Sequence, residues 1–472
     1  MNLEKYNNIL TGFSSNIVGN ILMFATTIFL TRMYPPEIYG EFRFVFSLIA
    51  LVVIVLLFGR DNGIIYFSQD KKVDKNTIIK EEVIFGLTVL TLGTLFLYIF
   101  SSAIVKHFFS NVTLEYFQLS LIMIPLWGFF NLLLSGLKVK GMVNYSFLLS
   151  NLTQRALRVP FFIFLTLLST SYYSLALGMI LSQVVLVYLA IKKIPFVLQL
   201  RDINIKDFFK RFSYSAQLGI NAIIVVLLTK IDVIMVGKYT DNTQVAIYDT
   251  CVMLSFVIML PFIALVKSSE PVMKGLVTQK NIQKKYTKDL KLAIELSLGI
   301  LLFYFLADEE ILHIFGEVYV SGADAFLVLS ISYMLVIMLG TPIELLNMNG
   351  FTKVSTIILV SSIFINIGLN HLLIPLYGIV GAGIATGVSL IFSKIIGLVL
   401  SKKYFNSIFI QSFFYYKNYI IVLLLFFIFR NFKFDDWFLT IIYALFVCIV
   451  YFVIVLLMHK KYREVIYAYL SK

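Results

Sequence analysis

Apolar runs of about twenty residues recur from one end of the chain to the other, and short polar segments separate them. About twenty residues is the length that an α-helix needs to cross a bilayer. The first run is too long for a signal-peptide core and lacks a cleavage pattern, so we expect it to be retained. The sequence therefore predicts an all-α polytopic membrane protein with fourteen spans, at residues 9–32, 43–67, 83–105, 117–137, 143–168, 174–191, 214–237, 245–266, 290–307, 324–346, 353–374, 378–401, 417–431 and 437–458.

Lysine and arginine are concentrated in alternate connections between the spans. With both termini in the cytoplasm, about 28 of the 39 basic residues fall in cytoplasmic segments and about 6 in external ones. Because cytoplasmic loops carry the excess of positive charge, both termini are predicted to be cytoplasmic. The densest clusters, Lys192–Arg211 and Lys267–Lys291, also contain apolar residues, which suits contact with anionic headgroups, although orientation alone explains them.

Composition supports the membrane class and excludes several others. Hydrophobic residues make up 60% of the chain, charged residues 14%, and the mean hydropathy is +0.91. Topology explains most of the net charge of +13, so nucleic acid is not expected as a partner. Cys251 and Cys448 lie in separate apolar runs, where free buried thiols are expected. The sequence has no Walker A loop, metal-ligand spacing or nucleophile elbow, so neither an enzyme nor a metal or cofactor site is predicted.

Two pairs of segments repeat at nearly the same offset. Arg32–Phe42 is similar to Lys238–Tyr248 at an offset of 206 residues, and Lys140–Ser146 is similar to Asn349–Ser355 at 209. Halves of six spans share one topology, which predicts a pseudo-two-fold axis along the membrane normal. Chance similarity between apolar sequences is the alternative. The predicted domains are an N-lobe (1–191), a cytoplasmic basic linker (192–213), a C-lobe (214–401) and the last two spans with a cytoplasmic tail (402–472).

Two arginines lie deep in the fifth span, where ionisable groups are costly and therefore suggest function. Arg155 is roughly 18 Å from the cytoplasmic end of the span, and Arg158 is on the same face roughly 4.5 Å further on. Asn151 and Gln154 lie on or beside that face, which is predicted to line a polar cavity. Guanidinium groups bind phosphate in a bidentate manner, so an anionic ligand is predicted. Pairing with an acid such as Asp61 is the alternative.

Two further charged pairs interrupt spans. Arg60 and Asp61 lie in span 2, where neighbouring glycines are expected to bend the helix, and a local ion pair is the alternative. Lys230 and Asp232 lie in the outer half of span 7. At this spacing their side chains point in different directions, so we expect both to face the cavity or partners across it.

Other polar groups offer coupling sites. Glu295, Glu344 and Asp249 lie within one or two turns of helix ends, where they either reach water or carry a coupling proton. In span 11 the spacing places Asn366, Asn370 and His371 on one polar stripe, with His371 either a hydrogen-bonded packing residue or a proton carrier. Coupling to a proton or to sodium is left open.

Four segments resemble the Wzx-type polysaccharide flippases of the multidrug/oligosaccharidyl-lipid/polysaccharide exporter superfamily. They are Leu30–Phe42, Lys230–Lys238, Ile314–Tyr319 and Ile365–Thr386, in matching order, and the last is the most specific. The resemblance implies two six-helix lobes around a central cavity, with two C-terminal helices appended, in the inner membrane of a bacterium.

The resemblance also implies a function. Such a protein translocates undecaprenyl-pyrophosphate-linked oligosaccharide units to the periplasmic leaflet by alternating access, for O-antigen, lipopolysaccharide or capsule synthesis. Arg155 and Arg158 would hold the pyrophosphate, while Lys230 and Arg60 would shape the field. Membrane lipids, a polysaccharide polymerase and a chain-length regulator are the implied partners. The alternatives are a multidrug or cation antiporter, which would favour an acidic cavity, and a membrane-embedded polymerase, which usually has a long external loop.

Overall fold

The computed structural model describes residues 3–69, 74–109, 111–198, 205–266, 280–405, 416–432, 434 and 436–458, and every regular element in these ranges is helical. Each of the fourteen predicted spans falls on a helical segment, which confirms the all-α class. The segments are α1 (Leu3–Met33), α2 (Pro36–Leu57, continued by Arg60–Phe67), α3 (Lys75–Ile99), α4 (Leu114–Ser120 and Met123–Val139), α5 (Val143–Phe147, Leu148–Thr153 and Gln154–Leu168), α6 (Tyr172–Ile191), α7 (Ile205–Tyr239), α8 (Asn242–Ser255, Phe256–Met259 and Leu260–Leu265), α9 (Lys280–His313), α10 (Ala323–Met338), α11 (352–377), α12 (378–405), α13 (Tyr416–Phe429) and α14 (Trp437–Met458).

The helices suit a bilayer in length and apolar character. Within the described ranges, nine helices are long and apolar enough to cross a membrane, and Val18–Met33 and Asn418–Phe429 are shorter apolar helices. A helix satisfies its backbone hydrogen bonds internally, which is what a chain segment surrounded by lipid requires. The chain is therefore a multi-pass membrane protein.

Two helices bend where glycine permits it. In α2 the helix is interrupted at Phe58 and Gly59, whose φ angles of 47° and 79° are both left-handed, as the glycine pattern predicted. The helix also begins earlier than predicted, because Pro36 is well suited to a first helical position. Spans 11 and 12 are two helices, as predicted, and they follow one another directly within Thr352–Phe405, because the chain changes direction at the non-helical Gly378 (φ 56°, ψ −137°) without a connecting loop.

Helix α5 contains a π-helical segment, Leu148–Thr153, immediately before its arginines. A π-helical turn holds more residues than an α-helical turn, so the side chains that follow are rotated about the axis. Such segments are frequent at functional sites. The π-helical turn therefore decides which neighbours Arg155 and Arg158 meet.

Contacts within the chain group its residues into two units, Met1–Ala246 and Ile247–Lys472. The lobe and linker boundaries inferred from the sequence stay predictions. Parts of both basic clusters (199–204 and 267–279) and most of the predicted C-terminal tail (406–415 and 459–472) lie outside the described residues.

In the first unit, α7 packs closely on α2. A Cβ atom at Gly237 would meet the Phe44 ring, and one at Gly219 would meet the backbone of Phe58. Small residues let helix backbones approach, which is a main source of helix association inside membranes. The bend in α2 is thus packed directly against α7.

In the second unit, α9 is the element on which the last helices pack. Asn418 of α13 and Tyr451 of α14 both donate hydrogen bonds to Glu295 of α9, to its side chain and its carbonyl oxygen respectively. The Cys448 thiol donates to the Gly299 carbonyl at 3.4 Å. Cys251 and Cys448 are both buried and free.

Candidate functional site

A small cavity of about 60 Å³ lies in the first unit. Helices α1, α2, α5 and α6 all contribute to its wall. Such a volume holds a few water molecules or one small polar group. The residues that line it are Met23, Thr26, Thr27, Leu30, Tyr39, Phe42, Arg43, Phe46, Arg155, Arg158, Phe162 and Met179.

The charge of this cavity is entirely positive. Arg155 and Arg158 both line it, so the structure brings together the pair expected from the sequence, and Arg43 of α2 joins them. No aspartate or glutamate is among the lining residues. Since three guanidinium groups repel one another in an apolar surrounding, this arrangement favours a bound anion.

Arg155 is held by α1. Its Nη1 donates a hydrogen bond to Asn20 Oδ1 at 2.7 Å. Gly19, the preceding residue, lies so close to the Asn151 carbonyl that a side chain at that position would overlap with it. The close packing of α1 on the π-helical segment therefore brings Asn20 within reach of the guanidinium.

Arg158 is held from its own helix and from α2. The Gln154 amide, oriented to satisfy both neighbours, accepts from Arg158 Nη2 at 2.9 Å and donates to the Ser150 carbonyl at 3.0 Å. The guanidinium also lies over the Phe46 ring, 5.8 Å from its centroid. Among the described residues the buried Nε of Arg158 has no hydrogen-bond acceptor. Its donors are thus incompletely satisfied beside the cavity.

The alternative partner of these arginines, Asp61, lies elsewhere. Within the described ranges neither Arg155 nor Arg158 forms an ion pair with an acid. Asp61 lies within electrostatic reach of Lys138, and the buried Arg60 within reach of Glu82. Arg60 and Asp61 therefore interact with other elements of the first unit and do not line the cavity, and the functions considered for them stay predictions.

The other charged pair of the first unit is on α7. Asp232 is buried and Lys230 is half-buried, and both have interaction partners. Neither lines the arginine cavity. A role in shaping the cavity field stays a prediction.

Two of the three acidic candidates of the second unit have basic partners. Glu344 pairs with Lys394 of α12, with 3.2 Å between Oε2 and Nζ. Glu295 is buried and lies 3.7 Å from Lys291 Nζ and 3.1 Å from Asn418 Nδ2. Asp249 is also buried. These partners give Glu295 and Glu344 a structural role that does not require proton coupling.

The polar stripe of α11 contains two of its three predicted members. Asn370 donates to Asn366 Oδ1 at 3.0 Å, and Asn366 donates to Ser389 of α12 at 3.5 Å. Both asparagines are buried, whereas His371 is exposed. His371 follows Asn370 directly, so it is turned by about 100° around the helix and does not share the stripe.

Two further residues of α2 were not singled out in the sequence. Arg43 and Glu41 lie at the start of the helix, in the segment that carries the family resemblance, seven residues or fewer after Pro36. The sequence signal was the closely spaced Glu37, Glu41 and Arg43 ahead of a long apolar run. The predicted span began at residue 43, so Glu37 and Glu41 were assigned to the preceding loop and Arg43 to the end of the span.

Hydrogen bonds near the Pro36 end of α2 join three elements of the first unit. Asn111 Nδ2 donates to the carbonyls of Thr240 (2.7 Å) and Gly237 (3.5 Å) at the end of α7, and Asn242 Nδ2 donates to the Asn111 carbonyl (2.6 Å). The backbone N–H of Thr113 donates to Glu41 Oε1 at 2.5 Å. We call this set the clasp; its members are Glu41, Asn111, Thr113, Gly237, Thr240 and Asn242.

The fold has known counterparts among membrane transporters. A lipid II flippase, MurJ, in an inward closed conformation superposes with a TM-score of 0.72 at 15% identity, over 98% of this chain and 100% of its own. An inward-facing multidrug resistance MATE family transporter of the MOP superfamily gives 0.64 at 14% identity, over 85% and 99%. A MOP superfamily transporter from Pyrococcus furiosus, described as having a binding pocket of reverse polarity, gives 0.58 at 16% identity, over 85% and 94%. The chain therefore has the fold of MOP-superfamily flippases and transporters.

Family models narrow this class. The model of the polysaccharide biosynthesis protein family matches residues 6–277, more than half of the chain, and the MatE model matches residues 218–372. The chain belongs to the polysaccharide biosynthesis protein family. No curated protein compared with the chain matches it in sequence.

Proposed function

We propose that this protein is a flippase that moves undecaprenyl-pyrophosphate-linked oligosaccharide units from the cytoplasmic to the periplasmic leaflet of a bacterial inner membrane, by alternating access, for O-antigen or capsule synthesis. The observation that carries the proposal is the cavity with Arg43, Arg155 and Arg158 and no carboxylate in its lining. Membership of the polysaccharide biosynthesis family and the likeness in fold to a lipid II flippase support it.

The ligand group expected in this cavity is a phosphate. Guanidinium groups form bidentate, charge-assisted bonds with phosphate oxygens and stay charged when buried. Thr26 and Thr27 add hydroxyl groups to the wall. A pyrophosphate entering from the membrane would replace the mutual repulsion of the arginines with attraction.

The cavity is large enough to hold only part of the proposed substrate. A volume of about 60 Å³ accommodates a small polar group and is far too small for an oligosaccharide. In the proposed mechanism the arginines hold the phosphate end, the glycan lies outside this cavity, and the polyprenyl tail stays in the lipid. The proposed orientation, with both termini in the cytoplasm, follows the distribution of lysine and arginine.

The decisive measurement is the leaflet in which the lipid-linked oligosaccharide accumulates. A strain that lacks the gene is complemented with the wild type, with Arg155→Ala/Arg158→Ala, or with Arg430→Ala. Arg430 is an exposed residue that directly follows α13, in the second unit. An impermeant glycan-modifying reagent is then applied to intact spheroplasts and to lysed cells. We expect the double variant to leave the glycan protected until lysis, and the Arg430→Ala variant to behave as the wild type.

Each other result has a defined meaning. Full transport by the double variant would overturn the role of the arginines. Accumulation on the outer surface without the gene would place the block after flipping and favour a polymerase. Membrane level and monodispersity of the double variant are measured in parallel, and Arg155→Lys/Arg158→Lys, which keeps both charges, should retain more transport than the alanine variant.

A multidrug antiporter is the second candidate, since residues 218–372 match the MatE model. Cationic drugs would be repelled by the three guanidinium groups of the cavity, which weighs against this reading. Drug resistance without glycan accumulation in the deletion strain would favour the antiporter.

A further inference from the structure

Glu41 is a buried carboxylate at the Pro36 end of α2, with 6% of its surface exposed. Its oxygen accepts the hydrogen bond from the Thr113 backbone N–H, and the Thr113 hydroxyl also faces it. Among the described residues no lysine, arginine or histidine forms an ion pair with it. A buried carboxylate without a cation carries a large desolvation cost, which binding a proton removes.

The position of Glu41 connects α2 to the segment before α4 and, through that segment, to α7. Through Thr113 it holds the connection before α4, and two residues earlier in that connection Asn111 binds the end of α7. On the adjoining face of α2, Gly40 lies against the Asn242 carbonyl at the start of α8. The Glu41 bond therefore contributes to fastening α7 to α2.

The opposite side of the same stretch of α2 lines the arginine cavity. Tyr39, Phe42, Arg43 and Phe46 all contribute to the cavity wall. A change in how the start of α2 is held at Glu41 is therefore transmitted to Arg43 within one helical turn. The start of α2 therefore contributes residues to both the cavity and the clasp.

We propose that Glu41 is a proton-binding site and that its protonation from the periplasmic side releases the clasp. A proton from the external solution binds the carboxylate and forms a neutral carboxylic acid. Hydrogen bonds to a charged acceptor are roughly twice as strong as those to a neutral one, so the Thr113 N–H is held less tightly. Loss of this bond detaches the connection from α2, so that the connection and the end of α7, which stay joined through Asn111, can move together. The placement at the periplasmic side, and the use of such opening for transport, rest on the proposed function.

Other titratable groups at this end of α2 differ from Glu41 in exposure or in the pH range over which they titrate. Glu37 and Glu115 are exposed, and tyrosines and arginines keep their protonation state between pH 5 and 8. Tyr116 and Tyr173 are close enough to interact electrostatically with Glu41. The charged or titratable groups at this end of the elements around α2 are Arg32, Tyr34, Glu37, Arg43, Tyr98, Lys106, His107, Glu115, Tyr116, Arg158, Tyr172, Tyr173, Lys238, Tyr239 and Asp241. The His107 side chain is exposed, and its Nδ1 lies 3.0 Å from the Ala103 carbonyl oxygen of its own helix.

The test measures the clasp directly, in purified full-length protein without a lipid-linked substrate. Spin labels are attached at Lys106→Cys and Lys238→Cys, both exposed positions on either side of the clasp, while Cys251 and Cys448 stay buried. Distances between the labels are measured at pH 8 and pH 5. We expect a several-fold rise in the longer-distance population at pH 5. Glu41→Gln, which mimics the protonated form, should show that population at both pH values.

Matched variants keep the inference falsifiable. Glu115→Gln removes an exposed carboxylate at the same end and should keep the pH response, and Glu41→Asp should keep it if Glu41→Gln fails to fold. Equal distances at both pH values in the wild-type background, or an unchanged response in Glu41→Gln, would overturn the inference. Because no substrate is present, either result leaves the flippase proposal untouched, whereas normal glycan sidedness in the gene deletion would remove that proposal alone.

Discussion

The side chain of Asn20 on α1 accepts a hydrogen bond of 2.7 Å from the guanidinium of Arg155 on α5. An asparagine oxygen orients the guanidinium without neutralising it, whereas an aspartate at this position would form an ion pair. The choice of an amide keeps the positive charge of the cavity available to a ligand. It also connects the position of α1 to the shape of the site.

Asn20→Ala should therefore weaken transport without unfolding the protein. A hydrogen bond to a charged group is worth about 1.5–3 kcal/mol, which corresponds to roughly a tenfold or larger fall in apparent affinity. Asn20→Asp should reduce transport further, because it neutralises Arg155. The rate at which glycan reaches the outer leaflet provides the measurement. Thr91→Ala, which removes a hydroxyl bonded only to its own helix, serves as the control; equal transport by Asn20→Asp and wild type would contradict the assignment.

Gly40→Ala should destabilise the first unit. The new Cβ would overlap with the Asn242 carbonyl, a backbone group that cannot rotate away. Overpacking of this kind costs about 1–3 kcal/mol. Gly368→Ala is the matched control, since its Cβ would meet nothing within 4 Å, and it should gain about 1 kcal/mol from helix propensity. Thermal unfolding of both variants in detergent tests the contrast, and equal midpoints would refute it.

Lys394→Met should destabilise the second unit, because it removes the cation next to Glu344. Breaking a fully buried pair costs about 3–5 kcal/mol, and since both side chains are slightly exposed we expect about 2 kcal/mol. The double variant Glu344→Gln/Lys394→Met should recover part of this loss, which a double-mutant cycle measures. If the two single variants were fully additive, the pair would carry no coupling. Transport should survive in the double variant if the pair is structural.

Asp74 at the start of α3 should stabilise its helix in a pH-dependent way. The Thr77 hydroxyl and backbone N–H donate to this carboxylate and hold the pKa of Asp74 below its usual range. A lowered pKa in the folded state means that the stabilisation is present above the ordinary value of about 4 and is lost as the pH falls through the lowered pKa. Asp74→Ala should cost about 1 kcal/mol at pH 7. Unfolding midpoints of the two proteins should converge as the pH falls below the ordinary carboxyl pKa of about 4; a constant difference would contradict the cap.

The spans were predictable because a backbone in lipid must bond to itself, so that length and apolar composition fix the helices. The bend in α2 was also visible, since Gly59 interrupts an apolar run next to charged residues. The π-helical turn in α5 was not visible, because the residues Leu148–Thr153 are as suitable for an α-helix. Only the packing of α1 against this segment distinguishes the two.

The site was predictable in part for the same reason. Arg155 and Arg158 are conspicuous in a long apolar run and share a face by spacing alone. Arg43 and Glu41 are not conspicuous, since charges near helix ends are usually hydrated, and the burial of Glu41 and half-burial of Arg43 depend on the helices that pack around α2. The exposure of His371 likewise follows from tertiary packing, which determines which side of α11 meets α12.

The dimensions of the arginine cavity have an evolutionary consequence. A pocket that encloses only one small group makes contact with the part of the cargo that every lipid-linked glycan has in common. Under the proposed function, a lineage could exchange the sugars of its surface polymer without altering Arg43, Arg155 or Arg158. Selection for new surface polysaccharides would then act on the rest of the chain, while these three positions stay constant.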